Sequence, residues 1–410
     1  MKTILVSTYA VNPFKGSEDG MGWNFICQIA RYNKVISITR KNNKEDIERY
    51  MLEQPNGIHA NIRFLYYDLP YWMRFWKKGS RGALIYYYLW QFFMPIFIMR
   101  QKIKFDIVHN LNFHNDWTPS FLWATNKPFV WGPIGHHPQI PDRYIRQQYG
   151  FRQRCIEKIR WATKKIFWNA DPFLWLTVKN ADAVLVMNSD VKNQINIHKK
   201  KTLIMPSVGS ELMTINKEKR NTYKILSAGR FVALKGFDLT LLSFSKFYHS
   251  LDTSEQQYVS LTLIGSGPEL DTINKIIQDE NISNAVQIIA WIERKEMLRH
   301  YAQSDVFLFP SHEGAGMVVS EALSCGMPVV CLNNSGPGEF IDSSCGIAVD
   351  MESYDETICQ LADALKQLYY NPSLRNELSH GAVRRHQNYF LWDVKGDQLQ
   401  KLYEEIDCTK

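Results

Sequence analysis

Short, nearly uninterrupted apolar runs recur along the chain, each followed by a polar, turn-forming stretch and then by apolar positions three and four apart. Residues 3–8 read as the first strand, 12–23 as a Gly-rich loop, 25–32 as a helix and 35–39 as the next strand. The strand pattern returns at 105–110, 128–138 and 180–189. Beyond residue 220 it becomes regular: predicted strands over 223–228, 259–264, 286–290, 305–309 and 328–331 alternate with predicted helices over 238–249, 269–279, 294–302 and 317–324. Such alternation predicts an α/β chain with parallel sheets covered on both faces. At 410 residues it is long for one core, so two domains are expected, linked by residues 199–210.

One segment departs from the alternation. Residues 83–99 form an apolar run of 17 interrupted by Gln91 and Pro95, which is marginal for a membrane span. Its place between predicted strands makes it a core helix of the first domain. The flanking Arg74, Lys77, Lys78, Arg81, Arg100, Lys102 and Lys104, set among aromatics, give it interfacial character as well. Residues 149–175 repeat the theme, with Arg152, Arg154, Lys158, Arg160, Lys164 and Lys165 among Trp161, Phe167, Trp168 and Trp175.

Charge is divided unequally. Residues 1–220 hold 33 Lys and Arg against 16 Asp and Glu, whereas residues 221–410 hold 15 against 25. A basic first half calls for an anionic partner, nucleic acid or a lipid surface. No helix-turn-helix, zinc-finger or RNA-binding signature accompanies it, so the expected partner is an anionic inner membrane surface and not nucleic acid. The seven cysteines lack C-x-x-C or zinc spacing, and the N-terminus lacks the pattern of a signal peptide. A cytoplasmic chain, peripheral on the inner membrane face, is the expected location.

The richest chemistry lies between Pro310 and Pro328. Glu313-Gly-Ala-Gly316 is a loop of small residues after an apolar strand, and residues 317–324 read as the helix it opens. The first N–H groups of that helix, at Gly316, Met317 and Val318, would favour an anion. Glu313 and Glu321 frame the place and suit sugar hydroxyls on either side of a phosphate. An ordinary strand–turn–helix, with Glu321 complementing the helix dipole, fits this stretch alone equally well. A second strand end shifts the balance: Gly229-Arg230 and Lys235-Gly236 bring a planar fork and a point charge, a pair suited to a diphosphate.

Together these stretches resemble glycosyltransferase family 4, of the GT-B fold, through the pattern G-R … K-G … E-G-x-G … E-A-L-x-x-G-x-P-V at Gly229, Arg230, Lys235, Gly236, Glu313, Gly314, Gly316, Glu321, Ala322, Gly326, Pro328 and Val329. The resemblance covers nearly the whole chain and is strongest over residues 223–340. It implies two Rossmann-like domains facing each other across a deep cleft. These are an acceptor-binding domain over 1–205, completed by a C-terminal helix over 393–410, and a nucleotide-sugar-binding domain over 206–392. It further implies a retaining transfer from a UDP- or GDP-sugar to a glycan or lipid-linked acceptor, in bacterial cell-surface polysaccharide synthesis. No D-x-D is recognised, so no metal and no cofactor are expected.

By the same resemblance Arg230 and Lys235 hold the diphosphate, Glu313 the transferred sugar and Glu321 the ribose. Backbone near Trp291 and Ile292 contacts the base, Gly265 lies in a neighbouring strand-end turn, and Gly16 of the first loop approaches the donor phosphates. Family members carry a histidine after the strand at 129–131; here the region is W-G-P-I-G, and His136 and His137 come slightly later. His136 is the candidate, with His114 and Asp116 beyond the preceding strand. A sugar phosphorylase, a nucleotide-sugar epimerase and a non-catalytic nucleotide-sugar binding protein are the rival readings.

Overall fold

The computed structural model describes residues 1–79, 81–111, 115–148, 151–213, 221–290 and 292–407. Its packing divides the chain into two units. The first comprises Met1–His136, Arg160–Ser207 and Trp392–Lys410, the second His137–Ile159 and Val208–Leu391.

The first unit is built on seven strands: β1 (Thr3–Ser7), β2 (Lys34–Thr39), β3 (Ile62–Tyr66), β4 (Ile107–Asn110), β5 (Phe129–Ile134), β6 (Ala183–Val186) and β7 (Lys201–Ile204). They lie in the order β3-β2-β1-β4-β5-β6-β7, all parallel. Every residue of β4, β5 and β6 is buried, as a sheet covered on both faces requires. Alternation along each strand divides the core in two. Ile4, Val6, Val130 and Leu185 pack with Phe25 and Ile29 of the Ser17–Ala30 helix and with Leu399 and Tyr403 of the Trp392–Asp407 helix. Leu5, Val108, Phe129 and Val184 pack with Tyr86, Tyr87, Trp90, Met94 and Ile98 of the Ala83–Gln101 helix.

Three expectations change here and a fourth is made specific. The helix after β1 starts at Ser17, inside the stretch read as a loop, with Glu18 and Asp19 complementing its positive end. Residues 199–210 are not only a link, because β7 within them pairs with β6 at the sheet edge. Residues 137–159 pack with the second unit, whereas the sequence placed them in a first domain over 1–205. The Ala83–Gln101 helix is a core element on one face only: Ile85, Phe92, Ile96 and Met99 are exposed. Gln91, which interrupts its apolar run, is buried and donates from Nε2 to Ser7 Oγ (3.1 Å) and Tyr87 OH (3.0 Å). Among the described residues no helix is long and apolar enough to cross a membrane.

The second unit carries β8 (Tyr223–Ala228), β9 (Val259–Ile264), β10 (Val286–Ile289), β11 (Val306–Phe309), β12 (Val329–Leu332) and β13 (Gly346–Val349). Their order is β10-β9-β8-β11-β12-β13, again all parallel. Phe237, Phe244 and Phe247 of the Phe237–His249 helix pack with Leu361, Leu365 and Leu368 of the Tyr354–Tyr370 helix over this sheet. Tyr144 joins the same core, its ring 4.9 Å from that of His312 and its hydroxyl 2.8 Å from Thr357 Oγ1, which ties residues 137–159 to this unit. Both sheets reverse their winding at one place, between β1 and β4 and between β8 and β11. Loops leaving the carboxyl ends of such strand pairs part and leave a crevice.

The Trp392–Asp407 helix closes the first unit with the chain's last residues. Lys395 within it is 1% exposed and its Nζ donates to the Pro206 carbonyl (2.8 Å). Burial pushes the Lys395 ammonium down to about 7. The unfolded chain therefore binds more protons than the folded one above that value, and stability should rise from about pH 7 to about pH 8.5 by up to about 1.4 kcal/mol per unit. Lys395→Met should remove that slope. Thermal melts of both proteins across this window check it; parallel curves would show that Lys395 is charged when folded.

Candidate functional site

The loops after β8 and β11 form the densest polar constellation of the second unit. β8 ends at Ala228; Gly229 and Arg230 follow, then a short turn over Ala233–Lys235 and Gly236. Gly236 has φ +66°, and a Cβ there would stand 2.1 Å from the Pro310 carbonyl oxygen. Only glycine lets the β8 loop come this close to the end of β11.

That approach aims Lys235 at Glu313. Lys235 Nζ lies 2.7 Å from Oε1 and 2.6 Å from Oε2 of Glu313, with the two side chains 14% and 15% exposed. The ammonium also sits 5.0 Å from the centre of the Phe309 ring. Burial pushes the Glu313 carboxyl above its ordinary range, and Lys235, then Arg230, pull it part of the way back. Arg230 itself is exposed at the loop surface. Two bonds to Glu313 account for two of the three N–H donors of an ammonium, so a third remains for a ligand oxygen.

The Glu313 loop is held from beneath. Leu234 O accepts from both Ser311 Oγ (3.0 Å) and His312 N (2.9 Å), and Asn334 Nδ2 donates to Ser311 O (2.7 Å). His312 is buried with no hydrogen-bond partner at Nε2, and burial pulls its pKa down to about 4, so the ring is neutral. Gly314 and Gly316 are buried, and Gly316 caps the Met317–Ser324 helix, whose first turn carries Met317 and Val318. Glu321 lies one turn further along, with Tyr301 OH 3.5 Å from its Oε2. The structure thus gathers Gly229, Arg230, Lys235, Glu313, Gly314, Gly316, Met317, Val318 and Glu321 at the ends of two adjacent strands.

Other candidates stand differently. A Cβ on Gly265 would lie 1.9 Å from the Gly229 carbonyl oxygen, so Gly265 backs the β8 turn from the neighbouring strand. Ile292 is half-buried beyond β10, which β9 separates from β8. Trp291 and His114 lie outside the described residues.

In the first unit, Gly16 is exposed ahead of the Ser17–Ala30 helix, after β1. His136 follows β5. Its Nδ1 lies 2.6 Å from Oδ2 of Asp116, in the loop after β4, with both side chains under 8% exposed. The ring rests against Trp168 (5.4 Å) and Trp161 (5.8 Å), and Asn188 Nδ2 donates to the His136 carbonyl (2.8 Å). The sequence singled out His136 and Asp116 separately. Their pairing was readable only from β4 and β5 being neighbours.

Comparison with known proteins agrees with this fold. Residues 210–385 match the family model of glycosyl transferases group 1. The likeness to that family lies in these residues of the second unit. A D-inositol 3-phosphate glycosyltransferase of Corynebacterium jeikeium is 30% identical over 185 residues, 43% of this chain and 42% of that protein. The lipopolysaccharide core biosynthesis glycosyltransferase LpsE of Rhizobium meliloti is 31% identical over 157 residues, 38% of this chain and 42% of its own length. The chain thus spans about two fifths of the length of these relatives. Among solved structures, sucrose-phosphate synthase of Thermosynechococcus elongatus superposes with a TM-score of 0.67 at 18% identity, over the whole of both chains. The fold is GT-B in class, with two Rossmann-like units. The matched segment contains the whole Lys235–Glu313 constellation.

The pair's energetics can be tested without a substrate. Removing one partner strands a buried charge, which costs about 3–5 kcal/mol for a fully buried pair and less for one that is partly wet. In calorimetric melts, Lys235→Met and Glu313→Gln should each destabilise, and the double variant should lose about 1–3 kcal/mol less than their sum. Strictly additive losses would mean the two side chains do not depend on each other.

Proposed function

We propose that the chain is a retaining hexosyltransferase. It would move a sugar from a nucleotide-diphosphate sugar, a UDP- or GDP-sugar, to a hydroxyl of a glycan or lipid-linked acceptor in cell-surface polysaccharide synthesis. The observation that carries this reading is the Lys235–Glu313 pair, set between adjacent strand ends beside Arg230 and the first turn of the Met317–Ser324 helix. In this reading Lys235 keeps Glu313 ionised, so that the carboxylate accepts from the sugar's hydroxyls. The remaining N–H of Lys235, the Arg230 guanidinium and the N–H groups of Met317 and Val318 take the negative charge that grows on the departing diphosphate. Glu321 takes the ribose hydroxyls, and the backbone near Trp291 and Ile292 the base. Donors placed where charge develops are worth about 3 kcal/mol each. They make a metal unnecessary, and the acceptor hydroxyl attacks from the face the leaving group vacates.

Arg230→Ala and Lys235→Ala should each lower turnover about a hundredfold or more, with donor-sugar hydrolysis or transfer as the readout. Excess EDTA should leave the wild-type rate unchanged. A thermal-shift screen against UDP, GDP, ADP and their sugars identifies the donor. Near-normal rates in both variants, or strict dependence on added magnesium or manganese, would remove the diphosphate assignment.

The acceptor side is read from charge. Cations cluster at 74–104 and 152–165; Tyr71 and Trp72 just before the first cluster, and Phe75, Ile85 and Met99 within it, are exposed. Each cation near an anionic leaflet contributes roughly 1 kcal/mol, so the chain would rest on the inner membrane face rather than cross it. Co-sedimentation with liposomes should require anionic lipid and weaken with salt. It should also fall when Lys77, Lys78, Arg152 and Arg154 are changed to Glu. Wild-type protein left in the supernatant at low salt would redirect the search to a soluble acceptor.

A further inference from the structure

One cavity of the first unit has no part in the donor chemistry. It holds about 370 Å³ and is walled by Leu84, Ile85, Tyr88 and Leu89 of the Ala83–Gln101 helix, by Trp117, and by Phe167 of the Phe151–Ala170 helix. That volume falls within the ~300–1,000 Å³ of small-molecule sites. Its walls present almost no polar atoms, because the polar groups nearby are engaged elsewhere. Tyr88 OH donates to Asp171 Oδ2 (3.0 Å), and Thr118, which also lines the space, bonds through its hydroxyl to Asn115. The rings of Trp117 and Phe167 stand 5.2 Å apart, and those of Tyr88 and Phe167 6.2 Å.

Two features say what such a slot accepts. Its rim is apolar and basic together. Leu84 and Ile85 are 44% and 64% exposed, and Thr163 on the opposite rim shares its helix face with the exposed Arg160, one turn away, and adjoins Lys164. A hydrocarbon chain joined to an anionic head group matches that combination, whereas a sugar or a nucleotide does not. The wall is also continuous with the candidate acceptor group: Trp117 directly follows Asp116, the partner of His136, and His136 rests on Trp161 and Trp168 of the same helix that supplies Phe167. A chain lying in the slot has its head group beside that loop.

We propose that this pocket seats the hydrocarbon chain of a phosphate-bearing lipid acceptor, with the head group toward the Asp116–His136 pair. The assignment rests on the transferase reading above and goes beyond general membrane contact. A flat basic surface suffices for bulk lipid, whereas a slot between two helices and a loop takes one chain.

Calorimetric titration with alkyl phosphates of eight to twelve carbons, below their micellar concentrations, tests it, with inorganic phosphate as the head group alone. Affinity should rise about fourfold per added methylene while the slot fills, and inorganic phosphate should give no comparable binding. Thr163→Trp, at an exposed rim position, and Leu89→Trp, deeper in, should each weaken dodecyl phosphate at least tenfold. Both variants should still co-sediment with anionic liposomes. Chain-independent affinity, or unchanged binding in a variant that melts like wild type, would overturn the proposal. So would equal loss of liposome and alkyl-phosphate binding, which would make the slot part of a general lipid surface. Thermal shifts with UDP and GDP on the same preparations keep the two readings apart: their absence would sink the transferase reading and leave the chain-length result standing.

Discussion

The second unit depends on one close approach, that of the β8 loop to the end of β11 at Gly236. A side chain there would collide with the Pro310 carbonyl, and the two loops would be forced apart. With hydrogen at that position, Lys235 lands on Glu313, and two opposite charges are buried in each other's company. Neither charge is stable in that place alone, because desolvation opposes both. The pair is therefore tied to the backbone geometry beneath it. Leu234 O, which accepts from Ser311 and His312, and Asn334, which holds Ser311, keep that geometry fixed.

The first unit solves a different problem. Its sheet must be covered on both faces, yet one of its covering helices is apolar almost all round. Ala83–Gln101 turns Tyr86, Trp90 and Met94 inward and leaves Ile85, Phe92 and Ile96 outward. Exposed apolar area of this kind is retained only where something else covers it, or where solubility comes from neighbouring charge. The cations that bracket the helix supply the second and fit the first.

Much of the second unit was legible in the sequence, and the reason is physical. Its strands are short uninterrupted apolar runs and its helices amphipathic, so the periods of two and 3.6 do not overlap. Strands at 223–228 and 259–264 and helices at 294–302 and 317–324 were read to the residue. The first unit was harder. Gly20 and Gly22 signal a loop locally, but the helix runs through them from Ser17, and Gly20 is there because a Cβ would strike the Lys15 carbonyl. β7 is half-exposed at a sheet edge and carries no strong apolar signature, so it passed for a linker. Residues 137–159 are anchored by Ile140, Tyr144 and Ile145, and the partners of Tyr144 lie more than 150 residues away in sequence. In the candidate site, single residue types were legible and pairings were not, as with Asp116 and His136, because pairing depends on strand order.

The Trp392–Asp407 helix packs Leu399 and Tyr403 onto Ile4, Val6 and Phe25, almost the whole chain away. Lys2 Nζ reaches the Tyr403 carbonyl (2.7 Å), and His109 in β4 meets the Tyr403 hydroxyl (2.6 Å). This has a consequence for how the protein is made. Domains form as units during synthesis, but here the first unit lacks one of the helices on one sheet face until residues 392–407 are translated. The second unit, continuous from Val208 to Leu391 except for the 137–159 segment already made, has all its parts earlier. The order of completion is thus the reverse of the order of translation, and through that interval the part of the sheet face that Leu399 and Tyr403 cover stays open to whatever holds nascent chains.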